Sequence, residues 1–510
     1  MLLKIDSQNP LREGLTAERV PAPCALVIFG ASGDLTFRKL LPALFGLFQK
    51  HLLPAAFTII GLSRSPLSTE EFRAKLRLVL QEQIPHLSEN LWESFSTTIE
   101  YVAGDYADPT AYRELAAKLT ASARDRGTHN RILYLATPPG VFAEIVFNLG
   151  FAGLQREDAG FSRLVVEKPF GHDLDSAREL NRKIREVFRE EQIFRIDHYL
   201  GKETVQNILV MRFGNSIFEP IWNRRYVDHV QITAAEELGI GGRAGYYERS
   251  GVVRDMFQNH LFQVMCLVAM EPPISMEAET IRDEKLKVLR AIQPFDNKTV
   301  LSRAVRGQYG PGLLAGTRIP GYREEPGVAT DSITPTYAAM KIFLNNWRWQ
   351  GIPFLLRSGK RLVKRTTEVA VFFRDPPHLL FRENAINLLP NILVVRIQPD
   401  EGMTLRLEAK VPGMSMETRT VNMDFSYGSS FVHGLPDAYE RLLLDCMLGD
   451  ATLFTRGDET ELSWQTLAPV LEVWDHTQPS EPFPNYEAGT WGPAAAARLF
   501  GDGRHQWRRL

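Results

Sequence analysis

The strongest constraint on the fold is an alternation that begins at Ala25. Short apolar runs (Ala25–Phe29, Phe57–Leu62, Ile99–Ala103, Ile132–Ala136, Leu164–Val166 and Ile193–Ile196) are separated by longer amphipathic stretches such as Phe37–Gln49 and Thr110–Arg124. Ser68-Thr69-Glu70-Glu71 has the spacing of a capping box, and Asp108-Pro109 fits a second helix start. Strands alternating with helices of this length predict a parallel sheet covered on both faces. The expected result is a doubly wound α/β domain over residues 23–203, preceded by a polar, Pro-containing arm over residues 1–22.

Beyond residue 203 the period changes. Val227–Thr233, Val369–Phe373, Asn391–Gln398 and Thr404–Leu407 alternate apolar and polar residues, with few intervening helices after Val369. That pattern predicts an antiparallel sheet with helices on one face, an α+β domain over residues 204–510. A chain of 510 residues has room for both domains. No internal repeat is present, and Ala494–Ala497 is only a short alanine run.

Charge and cysteine content narrow the function classes. Lys plus Arg number 59 and Asp plus Glu 61, a net charge of -2 that offers no general attraction to nucleic acid or an anionic membrane. An anionic ligand would have to be held by local clusters of cations. Cys24, Cys266 and Cys446 are far apart and form no CxxC pair, which speaks against a disulfide or zinc scaffold and for a reducing compartment. Met1–Asp6 becomes charged too early for a signal peptide, and the apolar stretch Leu261–Met270 is too short for a bilayer. The expectation is a cytoplasmic protein without a metal.

Phe29-Gly30-Ala31-Ser32-Gly33-Asp34-Leu35-Thr36 joins an apolar strand to an amphipathic helix. Small residues there let the backbone turn under a pyrophosphate at the helix N-terminus. The spacing is G-x-x-G, equally consistent with an ordinary strand-to-helix turn. The next strand ends in Ser63-Arg64-Ser65, without the carboxylate that binds a ribose 2′-hydroxyl in NAD sites. Arg64 could instead pair with a 2′-phosphate, so NADP is favoured over NAD provided the turn is a true nucleotide site. The alternative for Arg64 is a solvated surface side chain.

Three further segments stand out. Val165-Val166-Glu167-Lys168-Pro169-Phe170-Gly171 ends another strand, where Lys168 could reach both a nicotinamide edge and a substrate hydroxyl. A strand-end Lys in solvent is the commoner case. Arg195-Ile196-Asp197-His198-Tyr199-Leu200-Gly201-Lys202 gathers four polar groups at a strand end, and His198, Tyr199 and Lys202 would offer a phosphomonoester an imidazole N–H, a phenol and an ammonium. Gly251–Gln263 reads as a helix with Asp255 and Gln258 one turn apart. His260 on it is either a core residue or a base, and the second role needs a carboxylate, for which Asp197 is the candidate.

Gly30–Leu35, Glu167–Gly171, Arg195–Lys202 and Arg254–His260 resemble, in order, the four signature segments of the glucose-6-phosphate dehydrogenase family. The resemblance runs from about Ala25 to Arg456, and the Arg195–Lys202 segment is specific to that family. It implies a Rossmann-like dinucleotide-binding domain followed by a larger β+α domain with a mostly antiparallel sheet that mediates dimer formation. It also implies oxidation of glucose 6-phosphate to the 6-phosphogluconolactone with reduction of NADP, the first step of the pentose phosphate pathway, in a homodimer or homotetramer. Carried over by position, His260 resembles the general base and Asp197 the carboxylate that orients it. Lys168, His198, Tyr199, Lys202, Glu236, Asp255 and Lys360 match substrate-binding positions, Arg365 a further cation nearby. Gly30, Ala31, Ser32, Gly33, Asp34, Leu35, Thr36, Arg64 and Lys168 match the cofactor site. Phe142 departs from relatives that carry a Tyr there, and Trp507 either belongs to a second nucleotide site or caps the fold.

Two rival readings predict different residues. A sugar oxidoreductase of the glucose–fructose type would share Glu167-Lys168-Pro169 but would not need His198–Lys202. A nucleotide-sensing protein that had lost its chemistry would show decay among Lys168, Asp197 and His260, and all three are present.

Overall fold

Cys24–Phe29 has no polar position and is wholly buried, as befits the middle strand of a sheet covered on both faces. The structure, a computed structural model, describes residues 20–84, 86–378, 389–414, 416–430, 437–501, 503 and 505–510. All of the expected arm except its last residues lies outside them. The chain divides into two compact units. One takes residues up to Thr137, Phe147–Val165 and Tyr439–Asp450, and the other Pro138–Val146, Val166–Ala438 and Ala451–Leu510.

In the first unit the strands lie in the order Ser162–Val166, Asn130–Leu135, Cys24–Phe29, Phe57–Ser63, Ile99–Ala103. Cys24–Phe29 pairs in parallel with Phe57–Ser63 on one side and Asn130–Leu135 on the other, so the strand order reverses at its end. In open α/β sheets that reversal leaves a crevice for ligands. The expected capping box forms: Ser68 Oγ accepts from Glu71 N–H at 3.1 Å, and Glu71 Oε2 accepts from Ser68 N–H at 2.8 Å. Asp108 caps Pro109–Arg126, which ends at Gly127 in the left-handed region (φ 72°).

The second unit is built on eight strands in the order Thr418–Ser426, Gly402–Lys410, Ile392–Gln398, Thr366–Phe373, Val227–Ala235, Phe354–Gly359, Tyr337–Ile342, Ala304–Gly307. Every pairing is antiparallel except Val227–Ala235 with Phe354–Gly359. Four of these strands escape the alternation rule. Phe354–Gly359 is buried at all six positions, Arg357 and Ser358 included, and therefore does not alternate. Thr418–Ser426 is an edge strand largely open to solvent, with no apolar face to read. Tyr337–Ile342 and Ala304–Gly307 are short and mostly buried. The scarcity of helices after Val369 ends with Ala438–Leu448 and then Gly457–His476, whose Trp464, Leu467, Leu471 and Trp474 are buried at helical spacing. Among the described residues no helix is long and apolar enough to cross a membrane. All three cysteines are buried and free.

Candidate active site

The turn after Cys24–Phe29 accepts only glycine at its first position. Gly30 has φ +84°, and a Cβ there would lie 2.4 Å from the Ala136 carbonyl oxygen. The turn closes as Gly33 N–H donates to Gly30 O at 2.9 Å and Thr36 Oγ1 donates to the same oxygen at 3.1 Å. A helix follows, wound wide over Thr36–Leu40 and regular over Leu41–Gln49. Ala31 is buried, Leu35 half-buried, and Asp34 exposed and paired with Arg38 at 3.0 Å. Ser32 Oγ receives Ser63 Oγ and Ser65 Oγ, each at 2.9 Å. The exposed Arg64 guanidinium lies 5.8 Å from the Tyr106 ring and has no carboxylate partner among the described residues. A bare turn at a helix start, three hydroxyls and an uncommitted guanidinium fit a nucleotide's phosphates.

The second unit gathers the other candidates. Asp197 follows the Ile193–Ile196 strand and is 2% exposed; His260 is 1% exposed. Asp197 Oδ1 is hydrogen-bonded to His260 Nδ1 and also accepts Tyr199 N–H at 3.0 Å. Lys168 Nζ lies 2.8 Å from His260 Nε2 and donates to Asp255 O at 3.2 Å and Asp255 Oδ1 at 3.4 Å. An ammonium can only donate, so Nε2 holds a lone pair and Nδ1 carries the ring proton. The Tyr199 ring stacks on His260 (centroids 4.2 Å apart, 18° between planes), and the His198 ring stands edge-on to it at 4.6 Å.

Electrostatics keep these groups in the forms the geometry requires. Burial would raise the Asp197 carboxyl, but His260, then His198 and Lys168, bring it down to about 2. Burial lowers His260 below its ordinary 6.5 despite the opposing pull of Asp197. Burial, and then the neighbouring His260 and Lys168, drives His198 far down. Burial also works against the Lys168 ammonium, yet Asp255, Tyr246 and Asp197 leave it above its usual value. Burial likewise opposes the Asp255 carboxylate, and Lys168 and Lys360 outweigh it, to about 2. Near neutral pH the site therefore holds a neutral imidazole between a carboxylate and an ammonium.

A regular helix would not bring Asp255 and His260 to one lysine. Positions five apart are about 140° apart around a regular helix axis. The expected single helix from Gly251 is broken there: Gly251 has φ 56° and ψ -179°, and Val253–Leu261 is wound as a π-helix before Phe262–Ala269 becomes regular. In a π-helix the bonds run from i to i+5, so Asp255 stands beneath His260.

The remaining candidates fall into two groups. Lys202 Nζ donates to Gln398 Oε1 at 2.7 Å and Arg365 Nη2 to the same oxygen at 3.1 Å. Gln398 Nε2 donates to Thr367 Oγ1 at 2.9 Å, and the Tyr199 hydroxyl is 3.4 Å from both. Lys360 Nζ donates to Glu236 Oε2 at 2.6 Å. Gln398 and Thr367 are absent from the expectations. Gln398 is in sequence only a polar residue at the end of an alternating strand, and Thr367 lies just before the run Val369–Phe373. Phe142 is buried, with no hydroxyl to offer. Trp507 donates its indole N–H to Ala496 O at 3.0 Å and lies 4.6 Å from the buried Arg357 guanidinium.

Asp197, His198 and His260 bring ligand atoms within 4.8 Å of one another, as a metal site would. Lys168 Nζ, at 2.8 Å from His260 Nε2, sets a positive charge beside that group, which opposes a cation there.

Comparisons with known proteins agree over nearly the whole length. The family model for the NAD binding domain of glucose-6-phosphate dehydrogenase matches residues 27–207, and that for its C-terminal domain residues 209–508. Glucose-6-phosphate 1-dehydrogenase 2 of Mycobacterium tuberculosis is 47% identical over 513 residues, 98% of each chain. The Bacillus subtilis glucose-6-phosphate 1-dehydrogenase is 44% identical over 484 residues, 94% of this chain and 98% of its own. A solved glucose-6-phosphate dehydrogenase in complex with its substrate glucose-6-phosphate matches with a TM-score of 0.88 at 36% identity, covering 97% of this chain and all 100% of that one. The Mycobacterium avium glucose-6-phosphate 1-dehydrogenase gives 0.81 at 38%, covering 96% and 99%.

Proposed function

The chain belongs to the glucose-6-phosphate dehydrogenase family, and from that premise we propose that it oxidises D-glucose 6-phosphate to 6-phospho-D-glucono-1,5-lactone while reducing NADP. This is the first step of the oxidative pentose phosphate pathway. The observation that carries the reading is the series of buried Asp197, buried His260 and half-buried Lys168, which leaves one imidazole nitrogen as a proton acceptor.

Oxidising the C1 hemiacetal requires loss of a hydride from carbon and a proton from its hydroxyl. A bound nicotinamide supplies the hydride acceptor. In this reading His260 Nε2 takes the proton, while Asp197 fixes the tautomer and stabilises the imidazolium as it forms. Lys168, which holds Nε2 in the arrangement seen, turns toward Asp255 and the sugar as the C1 hydroxyl takes its place. His198, Tyr199 and Lys202, with Arg365, hold the phosphate, and Glu236, Asp255 and Lys360 the sugar hydroxyls. Binding energy gathered at the phosphate positions a carbon several bonds away. Because burial holds His260 below 6.5, kcat/KM should fall only as pH drops below that value.

The reading divides the chain at residue 203 into dinucleotide and substrate regions and expects a cytoplasmic homodimer or homotetramer. NADP rather than NAD follows from Arg64 with Ser63 and Ser65. Replacing Arg64 by Ala should raise KM for NADP about 10- to 100-fold and leave that for NAD within about two-fold. Equal weakening for both nucleotides would remove Arg64 from the 2′-phosphate. Product analysis tests the reaction itself. Each glucose 6-phosphate consumed should give one reduced nicotinamide and one phosphorylated lactone, which opens to the acid. An acid product without phosphate would overturn the reading.

A further inference from the structure

Arg195 opens the segment that contains Asp197, yet nothing so far gives it a task. Its guanidinium is 3% exposed and is held on its outer edge, with Nη1 and Nη2 donating to Glu190 at 2.5 and 3.1 Å and Nη2 to Asn181 at 2.9 Å. Its Nε–H is buried and has no partner. Asp197 Oδ2 is likewise buried without a partner, since both bonds to this carboxylate fall on Oδ1. One orphan is a donor and the other an acceptor. Residues two apart along an extended strand point to the same side. Both line one cavity of about 30 Å³, which Gln263 and Thr460 also line. Gln263 is anchored there by the buried Lys285–Glu459 pair, with Lys285 Nζ donating to its Oε1 at 2.8 Å and lying 2.9 Å from Glu459. A polar cavity of this size holds about two waters.

We propose that Arg195 is a positioning residue for the Asp197–His260 pair, acting through an internal water that accepts from its Nε–H and donates to Asp197 Oδ2. The inference rests on the reading of His260 as base and deepens it. An unsupported carboxylate oxygen in a dry site is costly. Supported at the back, Asp197 keeps its orientation and its charge while the imidazole gains and loses a proton. The other ionisable groups facing the pair are Lys168, His198, Tyr199 and Asp255, Glu167 lines the same cavity, and Arg195 itself is balanced by Glu190.

Arg195→Lys keeps the charge and can keep Glu190 paired, but it lacks the Nε–H. With the donor gone, the carboxylate–imidazole pair should hold its proton more tightly. The acid limb of kcat/KM should then move up by about half to one pH unit, kcat should fall about ten-fold, and KM for glucose 6-phosphate should stay within about two-fold. Asn181→Ala, which trims only the outer edge, should leave the limb in place. An unmoved limb in Arg195→Lys, or an equal shift in Asn181→Ala, would overturn the inference. If the wild-type protein itself reduced no nicotinamide, the underlying reading would fail instead. A crystal structure of the wild type supplies a readout independent of variant folding. It should show water within hydrogen-bond reach of both Arg195 Nε and Asp197 Oδ2, and a dry cavity would refute the proposal.

Discussion

Replacing His260 by Asn should lower kcat by about 10²–10⁴-fold, the range that a positioned general base contributes, with KM for glucose 6-phosphate changed no more than a few-fold. Asn can keep a polar contact to Asp197 but offers no basic nitrogen where Nε2 stood. The residual rate would come from binding and orientation, which His260 does not supply. The acid limb set by His260 should vanish from the pH profile of the variant, because the group that titrates is gone. Asparagine also replaces the ring N–H that supports the buried Asp197 carboxylate, and a weakened bond to a buried charge is destabilising. Thermal unfolding should therefore be measured beside the rate, to separate lost chemistry from lost fold. Retained turnover in a folded His260→Asn protein would remove this residue from the base role.

Replacing Lys202 by Ala should act on the other parameter. Its ammonium shares Gln398 Oε1 with Arg365, at 2.7 and 3.1 Å, so two cations converge on one uncharged acceptor. Two cations side by side would give a phosphate two charged donors. A charge-assisted hydrogen bond to a ligand is worth about 1.5–3 kcal/mol. Its loss should raise KM for glucose 6-phosphate by about 10- to 100-fold and lower kcat much less. Free glucose, which has no phosphate to lose, should be turned over as poorly by Lys202→Ala as by the wild type. A rise in KM shared by both sugars would place Lys202 away from the phosphate.

The two variants also show which parts of the site were legible in sequence. The doubly wound half could be read because its strands are largely apolar and alternate with helices, two of them with a visible start at Ser68 and Asp108. His260 and Asp197 could be paired because a histidine in an apolar helix needs a carboxylate to act as a base, and Asp197 in the polar strand-end segment was the candidate. The contact of Lys168 with both Asp255 and His260 could not be read. It depends on five-residue winding after Gly251, whereas helical periodicity assumes a regular turn. Gln398 could not be found either, for it lies 196 residues from Lys202 and looks like any polar strand end. Phe354–Gly359 was missed as a strand because its polar residues are buried: Arg357 finds Thr233 Oγ1 at 3.0 Å and the Arg508 carbonyl at 3.0 Å. Alternation reports a sheet with one wet face, and this strand has none.

The most direct test of the central claim is the initial rate of nicotinamide reduction, followed by absorbance, with glucose 6-phosphate or free glucose and with NADP or NAD. Rapid reduction with glucose 6-phosphate and NADP, slower with NAD and slower still with free glucose, is the expected result. No reduction by glucose 6-phosphate with either nucleotide would contradict the account.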